Sequence, residues 1–158
     1  MARGLILACV VFAGPLHAQD RPMQHAQGTF EVRITPEAQG TAPAGGMPTS
    51  RMGLNKTFTG DMVGTAEGTM IAAGAPKPGE PAAYVAIDQF RGTVDGQEGG
   101  FLLLHRGTMT RAGEGELSVT IAPDSGTGAL AGIEGTLSIE VSGGQHHYTL
   151  SYRLMPVR

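Results

Sequence analysis

The residues with most to offer chemically flank Asp95-Gly96, a dipeptide that favours a tight hairpin because both positions tolerate positive φ. On the stretch before it, Tyr84, Ala86, Asp88 and Phe90 share a face by the period of two. On the stretch after it, Phe101, Leu103 and His105 share one. If both faces look inward, a carboxylate and an imidazole meet in apolar surroundings. Burial would raise the aspartate's pKa, and a neighbouring imidazolium would lower it. Such a pair can exchange a proton with a bound molecule, with Asp88 as acid/base and His105 as its partner. Tyr84, Phe90, Phe101 and Leu103 would then form the pocket wall. The same two residues could instead fix strand register through a buried hydrogen bond, or His105 could face solvent.

Other candidates are thinner. Glu67 lies mid-strand on the face of Val63, Thr65, Thr69 and Ile71, where it is either a further binding residue or part of a solvated face. Asp61 follows Gly60 and reads as a turn residue. Asp124-Ser125-Gly126-Thr127 spells the short motif of aspartic peptidases, in which two such loops share a proton. One copy would need a symmetric dimer to become an acid hydrolase. His146 and His147 are adjacent, so on a strand they point to opposite faces. With no cysteine cluster or helical H-E-x-x-H, no metal site is expected. Phosphate-loop, dinucleotide and G-x-S-x-G signatures are missing, so no cofactor is expected either. Met52, Met62, Met70 and Met109 fall in four different strands and could line an adaptable cavity or simply fill the core.

The elements that must position these residues are strands. The chain has 158 residues, 41% of them hydrophobic, which allows one domain with a real core. It has 25 glycines and little sequence suited to helices, so many short strands and tight turns are expected. Alternation marks strands over 28–35, 52–60, 62–73, 82–94, 100–110, 116–122, 130–141 and 145–155. Residues 36–50, poor in large apolar groups, read as a surface loop, as do 74–81 with their prolines. Short connections imply antiparallel neighbours, and eight strands suffice to close a barrel that holds side chains or one small ligand. A sandwich is the main rival.

The first 18 residues form a pattern of their own. Arg3 precedes an apolar run over 4–14, and Pro15 and Leu16-His17-Ala18 follow it. That is the pattern of a signal peptide cleaved after Ala18, too short to span a bilayer. Its loss would remove Cys9, the only cysteine, and leave a flexible segment over 19–27 before a barrel over 28–158. The expected location is therefore the periplasm or the exterior. Net charge is −3, and the only lysines are Lys56 and Lys77, which argues against nucleic acid as a partner. No later segment is apolar enough to span a membrane. Oligomeric state is left open.

Three stretches carry a resemblance: Lys56 to Asp61, Phe90 to Thr108, and Ser125 to Gly135. In that order and spacing the chain resembles the bacterial proteins grouped as domain of unknown function 3224. The resemblance implies an antiparallel eight-stranded β-barrel like those of allene oxide cyclase and the dirigent proteins, with a calycin-like form. Those relatives hold a small, mostly apolar molecule and steer a cyclisation or coupling with few polar side chains. The family often has glutamate where Asp88 stands. Expected function is accordingly a small-molecule-binding barrel, either a binding protein or a cofactor-free isomerase or cyclase. The alternatives are an interaction barrel without catalysis, its loops at 36–50 and 74–81 making the contacts, and the Asp124 hydrolase.

Overall fold

The alternation of apolar and polar residues, repeated along nearly the whole chain, closes on itself. The computed structural model describes residues 21–74, 77 and 79–157, and among these there is no helix. The strands are β1 (Gln24–Gln39), β2 (Thr49–Gly60), β3 (Met62–Gly74), β4 (Ala82–Val94), β5 (Gln97–Met109), β6 (Gly115–Ile121), the two-residue β7 (Thr127–Gly128), β8 (Ile133–Ser142) and β9 (Gln145–Leu154). Hydrogen bonding runs β1 to β6 in sequence, then β6 to β8, β8 to β9, and β9 back to β1, antiparallel throughout. This is a closed eight-stranded barrel, with β7 a short extra strand on β5. Among the described residues, seven of the eight seams are ladders of at least seven pairs, whereas β6 and β8 pair only at Thr120 and Thr136.

The structure departs from the sequence expectations at three places. β1 is longer at both ends than the strand expected over 28–35. Gln24 to Gln27, read as part of a flexible segment, pair with Tyr152 to Thr149, because closure needs a partner for β9 and Ala26 supplies a fully buried contact. At the other end the strand passes Pro36 through a register shift between Pro36 and Ala38, which spares the missing N–H. The loop expected over 36–50 shrinks accordingly to 40–48. Finally, residues 130–132, expected to open a strand, form a turn that drops Leu130 into the barrel's end, and β8 starts at Ile133. The proposed leader, 1–18, lies outside the described residues.

The two ends of the barrel are built differently. At one end the turns are tight: Asp95 and Gly96 both have positive φ, as the sequence suggests. Gly64 and Gly92 face each other there, and a Cβ on either would lie 2.2 or 2.1 Å from a carbonyl oxygen across the ladder. This end is filled. Phe30, Phe58, Phe90 and Phe101 form a chain of ring contacts at 5.2, 5.6 and 5.0 Å between centroids. The Tyr148 hydroxyl accepts a hydrogen bond from the Met62 N–H at 2.7 Å, and Tyr152 donates to Asp95 Oδ2 at 2.6 Å. At the other end, where the 40–48 loop lies and where β3 ends and β4 begins, inward side chains are smaller and the barrel is hollow.

Candidate functional site

The site begins with what β3 does not contain. Its inward residues at mid-barrel are Ala66 and Gly68, paired with Lys56 and Leu54 on β2 and with Phe90 and Asp88 on β4. With so little side chain between them, Lys56 reaches across β3 and its Nζ donates a hydrogen bond to Asp88 Oδ2. Gly68 is required for room: a Cβ there would sit 2.3 Å from Asp88 Oδ1 and 2.4 Å from the Ile87 carbonyl oxygen. On the other side, His105 of β5 pairs with Ala86 and lies diagonal to Asp88. Its Nε2 stands 3.1 Å from the same Oδ2. The contact is close but does not form an aligned hydrogen bond.

All three side chains are enclosed, with residue exposures of 8% for Lys56, 0% for Asp88 and 7% for His105. Burial acts most strongly on the Asp88 carboxyl and pushes its pKa up. The contact with His105 and the charge and hydrogen bond of Lys56 together outweigh it and hold the group below the usual aspartate value. Asp88 is therefore an ionised carboxylate. Its second oxygen, Oδ1, is buried without a hydrogen-bond partner against Gly68. Tyr84, raised by burial and then by the Asp88 charge, lies flat over Gly107, whose missing Cβ makes space for the ring.

Above this trio opens a cavity of about 610 Å³. Lys56 and His105 belong to its lining and Asp88 does not, so the carboxylate sits behind the two groups that face the space. Val32, Leu54, Met52, Met70 and Ile139 supply much of the remaining wall, with Thr108, Glu116 and His146 as other polar contributors. His146 also stacks on Phe30 at 4.9 Å between centroids, while His147 points to solvent.

The structure therefore brings together Asp88, His105 and Tyr84 among the residues chosen from sequence. Phe90, Phe101 and Leu103 do not line the cavity, contrary to expectation. They are fully buried beneath the trio and form its packed floor, because the filled end of the barrel reaches up to them. Glu67 is exposed on the outer surface, since Ala66, Gly68 and Met70 take the inward positions of β3. Asp124 is exposed in a turn at the filled end, with φ of 58°. The Ser125 hydroxyl beside it donates to the Ala122 carbonyl oxygen at 2.6 Å and accepts from the Leu102 N–H, and Thr127 donates to the Gly100 carbonyl oxygen. The motif's hydroxyls thus serve the turn. Of the methionines, Met52, Met70 and Met109 line the cavity and Met62 fills the core. Lys56 escaped the sequence reading. Its signal was present: it lies between Leu54 and Phe58 on an inward face, in a chain with two lysines.

Comparison with known proteins agrees with this architecture. The sequence profile described as "Protein of unknown function (DUF3224)" matches residues 26–152, nearly all of the barrel. The chain belongs to the DUF3224 family. A crystal structure from the same family, a protein of unknown function from Shewanella oneidensis MR-1, has 38% sequence identity and a TM-score of 0.77. The match covers 85% of this chain and all of that one. No curated protein matches the chain. Family membership thus carries the fold and leaves the chemistry to the site.

Proposed function

We propose that this DUF3224 protein binds a small apolar molecule inside its barrel, with the molecule's inner end resting on Lys56 and His105. One observation carries the reading: a cavity of about 610 Å³, almost wholly apolar, with those two polar side chains at its inner limit. Ligand sites have this form, a concave apolar space of about 300–1,000 Å³ with a few placed polar groups. The resemblance to allene oxide cyclase-like barrels supports it by analogy, since such barrels hold a small, mostly apolar molecule inside. An interaction barrel without a ligand has less in its favour, because a barrel serving only its outer surface gains nothing from a hollow core. The test is uptake of the fluorescent probe N-phenyl-1-naphthylamine by the purified protein. Binding is expected in wild type and loss of binding in Ala72→Phe, which fills the cavity from its wall. No uptake by wild type would overturn the reading.

A second reading, a cofactor-free isomerase or cyclase working by proton transfer, is favoured by the buried Asp88 carboxylate set behind His105. The carboxylate would stabilise the imidazolium formed when His105 takes a proton, and His105 would return it elsewhere on the molecule. Its mark would be deuterium uptake from heavy water into C–H bonds of a bound molecule, lost in His105→Ala while binding persists. We further propose that the protein is exported, on the strength of the leader pattern in residues 1–18. A secreted chain beginning at Gln19 by mass spectrometry is the expected result.

A further inference from the structure

Lys56 is an expensive residue to keep where it is. Enclosing an ammonium group in apolar surroundings costs several kcal/mol unless its hydrogens find acceptors. Asp88 takes one of the three. The other two find no hydrogen-bond acceptor among the described residues, although the side chain is more than nine-tenths buried and forms part of the cavity wall. The Phe30 ring, 5.6 Å from Nζ, offers only its π face. The inner end of the cavity therefore presents a donor in search of an oxygen.

The charge balance decides which kind of oxygen. With His105 unprotonated, Lys56 and Asp88 neutralise each other, and Asp88 is held ionised behind the wall. A ligand carboxylate would bring a second negative charge next to Asp88 and leave an uncompensated anion in an apolar space, which is strongly disfavoured. An uncharged carbonyl oxygen accepts from Lys56 without disturbing the balance. An alkane leaves the donors unanswered.

We infer that the ligand is an uncharged, apolar carbonyl compound (a ketone, enone, lactone or ester) bound with its C=O on Lys56 Nζ, beside His105, and its hydrocarbon body directed toward the cavity mouth. This rests on the binding reading and adds the head group to it. The body meets Leu54, Met52 and Met70, and methionine side chains suit a ligand of irregular outline.

The experiment is competition against N-phenyl-1-naphthylamine by three probes of equal chain length: a medium-chain methyl ketone, the alkane and the carboxylate. The ketone is expected to bind about ten- to a hundredfold more tightly than the alkane, the range for a hydrogen bond to a charged group. It should also bind more tightly than the carboxylate at neutral pH. Lys56→Met is expected to erase the preference for ketone over alkane. Should that variant fail to fold, the infrared stretch of a carbon-13-labelled ketone carbonyl in wild type serves instead. A shift to lower wavenumber than in hydrocarbon solvent is expected, and an unshifted band would overturn the inference. Equal binding of ketone and alkane, or preferred binding of the carboxylate, overturns the carbonyl assignment and leaves the binding reading standing. Failure of the dye and all three probes removes both.

Discussion

The filled end and the hollow end of the barrel are made from the same eight strands and differ only in what those strands point inward. Toward the filled end the inward residues are large: Phe58, Phe90, Phe101, Tyr148 and Tyr152, all nearly inaccessible. Toward the hollow end small residues and methionines, such as Ala72, Ala82, Gly107 and Met109, stand among the aliphatic ones, and the space they leave is not occupied by the protein. The Lys56–Asp88–His105 trio marks the boundary. On each strand it is the next inward step beyond the packed rings: Lys56 after Phe58, Asp88 after Phe90, His105 after Leu103. The contrast teaches that stability and function are separated along the barrel axis. Dense packing at one end supports an under-packed, partly polar interior at the other.

Substitutions that distinguish the two ends test this division. The largest effect is expected from Phe90→Ala, which opens a void in the packed end and should cost about 3–5 kcal/mol in chemical denaturation. Met70→Ala, in the cavity wall, should cost less than about 1 kcal/mol because no close packing is lost. Equal costs at the two sites would abolish the comparison. Asp88→Asn should be nearly as severe as the phenylalanine change, about 3–5 kcal/mol, since it leaves a buried ammonium unpaired. The double variant Lys56→Met, Asp88→Leu is expected to recover most of that loss, and failure to do so would make the pair structurally irreplaceable.

Gly68→Ala comes next. Its Cβ would meet Asp88 Oδ1 at 2.3 Å and the Ile87 carbonyl oxygen at 2.4 Å, so about 1–3 kcal/mol should be lost. Part of that loss should reappear as weakened dye binding, because Asp88 is displaced. Smallest is the pH effect. Asp88 has a depressed pKa in the folded state, so its stabilising contribution is complete above its unfolded value of about 4. It is lost as the pH falls through the lower folded value. Thermal melts should show wild type losing stability in that acid range more steeply than the double variant, and parallel curves would remove Asp88 as the cause.

Much of this was legible beforehand. The period of two grouped Asp88 with Phe90 and His105 with Leu103 on either side of the Asp95-Gly96 turn, and the structure turns both faces inward and makes the two residues diagonal neighbours. Glu67 could be read either way because β-branched Val63, Thr65, Thr69 and Ile71 resemble a buried face; the structure puts it on the solvated side, since the inner face of β3 is built of small residues. Phe90, Phe101 and Leu103 share the correct face, but alternation carries no information on depth along the axis, so wall and floor looked alike. Lys56 was passed over because a lysine on a strand is ordinarily solvated, and its partner lies two strands away.

The sequence by itself determined most of the strands and the hairpin that carries Asp88 and His105, because these depend on neighbours a few residues apart and on the geometry of one turn. Only the tertiary structure decided that β1 closes against β9, that Ala66 and Gly68 let Lys56 reach Asp88, and that one end of the barrel is full while the other is open. These depend on the sizes of side chains from strands far apart in sequence, meeting across a closed interior.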